Sequence, residues 1–196
     1  MRVALVWAAL AMAVPARAQS WEVLALLGYT NAAPLDTTAE GVDELSLAGA
    51  FTFGAAGTFF VTEHLGVGGL FMTQPTAVRM TSAGIDATAL DLKVSQGLGS
   101  LVYQPLSRSA ALQPFVFVGA GVSVLTASGY DAESKFAWTA GGGVKWMPSP
   151  VIGTLIQFRY KRTRLNDSGS TLCDPFGFCL DALPQLEFAG GLVLRF

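Results

Sequence analysis

The last eleven residues, Leu186-Glu187-Phe188-Ala189-Gly190-Gly191-Leu192-Val193-Leu194-Arg195-Phe196, alternate residue by residue. Leu186, Phe188, Gly190, Leu192, Leu194 and Phe196 fall on one parity; Glu187, Ala189, Gly191, Val193 and Arg195 fall on the other. Successive side chains of a strand point to opposite faces, so one face is apolar and the other is small or charged. The segment closes on an aromatic residue. A strand of this kind needs an apolar medium on one side and a crowded interior on the other.

The N-terminus reads as a processing segment. Met1-Arg2 is a short positive start, Val3 to Val14 is apolar, and Pro15-Ala16-Arg17-Ala18 supplies a small-residue cleavage site. Cleavage after Ala18 is the expectation, with an uncleaved anchor as the alternative; the apolar run is too short for a comfortable spanning helix. Residues 1–18 are then a signal peptide and 19–196 a single domain. No later stretch offers the roughly 18 uninterrupted apolar residues of a membrane helix. Yet the chain is 52% hydrophobic and 13% charged, too greasy for a soluble domain. Its apolar residues must be spread over short alternating segments, as the outer surface of a membrane barrel requires.

Eight such segments can be drawn: Trp21–Tyr29, Leu45–Val61, Leu65–Thr73, Thr88–Tyr103, Pro114–Thr126, Lys135–Met147, Val151–Leu165 and Gln185–Phe196. The sixth sets Phe136, Trp138, Val144 and Trp146 against Lys135, Ala137, Thr139 and Lys145; the fifth is apolar on both parities. Thr62-Glu63-His64 and Pro148-Ser149-Pro150 are tight turns, and Gln104–Gln113 is a longer one. The connections Thr30–Glu44, Gln74–Ala87, Ala127–Ser134 and Asn166–Pro184 are long and polar. Short turns on one rim and long loops on the other describe an all-β fold: a closed, antiparallel, eight-stranded transmembrane β-barrel with up-and-down connections. Both termini are expected on the short-turn, periplasmic side, with the long loops extracellular.

Charge sorts the same way. Without Arg2 and Arg17 the chain keeps ten bases against 14 acids, a net charge of −4. The long loops hold ten of the acids and one base, Arg79. No basic patch interleaved with aromatics is present, so nucleic acid is not an expected partner. The aromatic face should meet lipid, because a charge near the bilayer midplane costs about 2–4 kcal/mol on a barrel wall. The opposite face lines a narrow lumen crowded with small residues, where charges should pair. Similar heights on neighbouring strands predict Arg159 with Glu187, and Glu22 with Arg195.

Cys173 and Cys179 flank Asp174-Pro175-Phe176-Gly177-Phe178 in the last long loop. In an exported chain they read most simply as a disulfide, against free thiols or a metal site that lacks a nearby histidine. His64 reads as a polar turn residue. Asp36, Glu40, Asp43 and Glu44 lack calcium-loop spacing, and the glycine runs at 119–121 and 141–143 sit inside strands with no following helix. No cofactor is expected.

On these features the chain resembles the small eight-stranded outer-membrane barrels of the OmpA/OmpX type. The resemblance spans Gln19 to Phe196 and is most specific at the C-terminal assembly signal, matched by Gly191, Leu194 and Phe196; Ala189 departs from it where a polar residue is expected. It implies a barrel-only protein of the outer membrane, in contact with its lipid and inserted by the barrel-assembly machinery. Barrel deacylases carry His-x-Ser, which does not occur here. The palmitoyltransferase type pairs histidine with Asp-Ser, but Asp167-Ser168 and His64 fall on opposite rims. The expectation is a non-enzymatic envelope or surface-interaction protein. A small channel is the alternative, a lipid A-modifying enzyme is less favoured, and a soluble lipocalin-like barrel would need the opposite polarity.

Overall fold

The computed structural model describes residues 20–31, 34–35, 44–82, 85–127, 132–164 and 182–196. Its strands are β1 (Ser20–Asn31), β2 (Pro34–Leu35), β3 (Glu44–Leu47), β4 (Ala50–Phe60), β5 (Leu65–Ser82), β6 (Ile85–Tyr103), β7 (Leu112–Ala127), β8 (Glu133–Trp146), β9 (Ile152–Arg164) and β10 (Ala182–Arg195). All pairings are antiparallel, and β10 returns to β1 to close the sheet. β3 and β4 form one wall strand interrupted at Ala48-Gly49, so the wall has eight strands; β2 pairs only with β3.

The registers fix the shape of the barrel. Thr30 pairs with Glu187, Glu187 with Arg159, Arg159 with Gly141, and Gly141 with Phe117. Phe117 pairs with Val102, Val102 with Gly66, Gly66 with Phe60, and Phe60 with Ser20. The circuit therefore returns to β1 ten residues from its start, from Thr30 to Ser20. That stagger over eight strands gives a tilt of about 41° and a backbone radius of about 8 Å. A bore of that width is filled by side chains. Each residue climbs about 2.5 Å along the axis, and each pairing step of the circuit descends about 3 Å.

The outer wall is apolar between two aromatic levels. At the turn end Trp21 packs on Phe59, ring centroids 5.1 Å apart. At the loop end Tyr29 meets Phe51 at 5.5 Å and Trp138 meets Tyr160 at 5.5 Å. Trp21 and Tyr29 are eight residues apart on β1, as are Trp146 and Trp138 on β8, a height of about 20 Å. Ile156, Phe158, Phe188 and Leu192 fill the band between, each half exposed or more. Rings at two levels around an apolar band suit a bilayer.

Several sequence expectations need correction. The polar stretch 74–87 is mostly not a loop: β5 runs on to Ser82 and β6 starts at Ile85, paired throughout with a register shift at Val78/Arg79. Its Thr76, Val78 and Thr81 are β-branched and favour a strand although the stretch is largely polar. Pro75 lies where β5 has left β4 and not yet met β3, a position in which proline is tolerated. The second segment breaks at Gly49, where a Cβ would collide with the Tyr29 hydroxyl. The ambiguous fifth segment turns Phe115 and Phe117 inward. The lumen is thus not mainly small residues: Leu24, Leu26, Leu70, Leu98, Phe117 and Leu155 form an apolar core inside it.

Candidate functional site in the barrel lumen

The lumen holds two charge clusters separated by that core. At the turn end the fully buried Glu22 is the centre. Its register partner Arg195 donates from Nη2 at 2.7 Å and Nε at 3.0 Å to Oε1. Arg108, on the turn between β6 and β7, donates to the same oxygen at 3.1 Å. Lys145 of β8 donates to Oε2 at 2.5 Å. Gln104 and Gln113 complete the set: the Gln113 Oε1 accepts from Arg195 at 2.7 Å and from Gln104 at 3.0 Å. The Arg108 guanidinium also lies over the Phe60 ring, 4.3 Å from its centroid. Burial lowers the Arg108 pKa from its ordinary value, and the Glu22 carboxylate opposes that shift. An arginine stays protonated under either influence.

The loop-end cluster is built on Glu187. Arg159 donates to Oε1 at 2.5 Å, and Lys161 to Oε2 at 3.1 Å. The Thr30 hydroxyl donates to Oε2 at 3.2 Å and accepts from Lys161 at 3.1 Å. Lys161 also reaches across the bore to the Gln74 Oε1, 3.0 Å away. Inward parity explains the membership. Arg159 and Lys161 follow each other on one face of β9, and Glu187 is the register partner of Arg159.

The structure thus brings together Arg159 with Glu187 and Glu22 with Arg195. It adds partners that sequence reasoning missed: Lys145 and Arg108 on Glu22, and Lys161 on Glu187. Lys145 and Lys161 carried a signal, since both sit on the inward parity, but pairing strictly in register hid them: Lys161 reaches Glu187 diagonally from the neighbouring strand, and Lys145 reaches Glu22 across the bore. Arg108 sits in a turn, where alternation says nothing.

The other candidates separate. In the turn, His64 Nδ1 donates to the Gln104 carbonyl at 2.8 Å, while the Thr62 hydroxyl accepts from the backbone N–H of His64 and Leu65. These contacts fix the turn. Phe196 pairs through its backbone with Trp21, Leu194 faces outward, and a Cβ at Gly191 would collide with the Ala25 carbonyl. Cys173, Cys179 and the expected signal peptide lie outside the described residues.

Comparison with known proteins points to one family. Among solved structures the chain is similar to Neisserial surface protein A, at 12% identity over 90% of this chain and 97% of that one, TM-score 0.64. It is similar to OprG of Pseudomonas aeruginosa at 14% identity over 91% and 96% of the two chains, TM-score 0.62. It is also similar to Ail of Yersinia pestis, at 15% identity over 91% and 99%, TM-score 0.52. At these identities the likeness is one of fold. Among curated proteins, none matches in sequence. The family model for the outer membrane protein beta-barrel domain matches residues 3–180, most of the length, and the chain belongs to that family.

Proposed function

We propose that this protein is a plugged, non-enzymatic barrel of the outer membrane, serving envelope structure or surface interaction. The observation that carries the reading is the apolar core across the bore. Leu26, Leu70, Phe117 and Leu155 are buried inside a wall only about 8 Å in radius, between the Glu22 and Glu187 clusters. Ions crossing such a layer would shed water without gaining ligands. In this reading the short turns and both termini face the periplasm, the long loops face outward, and the barrel-assembly machinery inserts the chain through the Gly191, Leu194 and Phe196 signal. The signal peptide is removed after Ala18, and Cys173 with Cys179 staples the last exposed loop.

The loop rim argues for the chemistry of a surface partner. The structure of Ail was determined with the heparin analogue sucrose octasulfate, a polyanion. The stretches 36–43, 128–132 and 165–181, which lie between the strands, carry seven acids and no base. A basic partner therefore suits the rim better than a sulfated polysaccharide. Planar-bilayer recording of the purified protein tests the plugged reading: a silent bilayer supports it, and a steady open conductance overturns it in favour of a small channel.

A further inference from the structure

The belt of side chains around Glu187 has more hydrogen-bonding capacity than it uses. Six buried residues, Thr52, Gln74, Gln96, Ser123, Arg159 and Gln185, carry polar atoms without a partner. Both amide atoms of Gln96 and of Gln185 are unpaired, as are the Gln74 Nε2, the Thr52 and Ser123 hydroxyls, and the Nε and Nη1 of Arg159. Native interiors seldom leave such groups unmatched.

These groups converge. Ser123 pairs in register with Gln96, Gln185 with Lys161, and Lys161 bridges the bore to Gln74. From the barrel geometry, all but Arg159 stand within about 4 Å of the Lys161 level, and Arg159 about 5 Å below it. The belt is also enclosed. Leu98 and Leu70 lie beneath it, and the buried Leu92, Leu125 and Leu183 lie above.

Its charge is unbalanced. Arg159 and Lys161 share a single carboxylate, Glu187. Among the described residues no second lumen acid joins them; Glu133, a level higher, pairs with Lys135 at 3.3 Å. Water would satisfy the idle donors but leave one positive charge uncompensated away from solvent, where charge is penalised heavily.

We propose that this belt of unpartnered donors is a binding site for a small monovalent anion of the halide class. The Arg159 guanidinium and the glutamine amides supply N–H donors, and the two hydroxyls supply O–H donors. A single charge balances the surplus from Lys161, whereas a divalent oxyanion would overshoot it. The inference rests on the plugged lumen proposed above, which encloses the belt. The two fail separately, because conductance reports the plug and the following measurements report the ion.

The test uses bromide as the probe. Crystals of the full-length protein in sodium bromide should show an anomalous peak within hydrogen-bond reach of Arg159 and of the Gln96 or Gln185 amide. In detergent micelles, urea unfolding should shift with bromide but not with sodium gluconate, too bulky to enter, at equal ionic strength. Above the dissociation constant, the folding equilibrium should gain roughly tenfold for each tenfold rise in bromide. Lys161→Met, which removes the surplus charge, should abolish that dependence. No peak at the belt overturns the proposal. So does a peak without the solution effect (an adventitious ion only), or an unchanged bromide dependence in Lys161→Met. If that variant fails to fold, the wild-type crystal and titration decide.

Discussion

Glu187 accepts a hydrogen bond from Thr30, eight residues up β1 from Glu22. Glu187 lies one pairing step below Thr30, so the two lumen carboxylates stand about 17 Å apart along the axis. Each gathers more than one cation, with apolar side chains between them. The proposed plug is thus flanked by a charge cluster at either end, and its parts should fail in distinguishable ways.

Removing the hub of the turn-end cluster should be costly. Glu22→Gln leaves Arg108, Lys145 and Arg195 without their shared carboxylate, and the loss should be about 3–5 kcal/mol. Urea unfolding in micelles, followed by tryptophan fluorescence, measures it. Adding Lys145→Met should recover part of the loss, because one of the stranded charges goes with it.

The two partners at the loop end should not be equivalent. Glu187→Gln strands Arg159 and Lys161 and should cost about 3–5 kcal/mol, whereas Lys161→Met leaves a one-to-one Arg159–Glu187 pair and should cost less. Equal losses in the same unfolding assay would mean that Lys161, not Arg159, is the principal partner of Glu187.

Outward and inward positions should differ in their tolerance of charge. Ile156, 57% exposed on the outer wall, lies in the apolar band. Ile156→Arg should cost about 2–4 kcal/mol in lipid. Arg162, six residues further along β9, is already outward and charged at the loop-end aromatic level. Its change to leucine should leave vesicle unfolding nearly unmoved.

Glycines divide by what surrounds them. A Cβ on Gly141 would stand 2.8 Å from the Phe117 ring, while one on Gly57 would meet nothing within 4 Å. Gly141→Ala should lose about 1–3 kcal/mol through overpacking, and Gly57→Ala should change stability by about 0.5 kcal/mol or less. The proposed staple is checked by thiol labelling without reductant. Neither Cys173 nor Cys179 should react, and modification of both would remove the disulfide.

Much of this architecture was legible in the alternation. The faces of β8, β9 and β10 follow from parity alone, because lipid and lumen impose opposite demands on neighbouring residues. The pairing of Arg159 with Glu187 follows from height on adjacent strands. Contacts across the bore were not legible: Lys161 with Gln74, or Lys145 with Glu22, depend on a stagger of ten residues that no single segment carries. The apolar core hid for a related reason. Leu24, Leu70 and Phe117 each look like ordinary members of an apolar strand until closure turns them toward one another. The 74–87 stretch misled because polar, β-branched residues suit both a loop and a strand lying beyond the bilayer.

The proposed plug depends most on a dry layer between the two clusters. Water-edited solid-state NMR of the protein in lipid bilayers, transferring polarisation from water to side chains, tests it directly. Fast transfer to the Glu22 cluster at the turn-end mouth, with slow transfer to the methyls of Leu26, Leu70 and Leu155, is the expected result. Equally fast transfer along the whole lumen would show a continuous water path and contradict the plugged barrel.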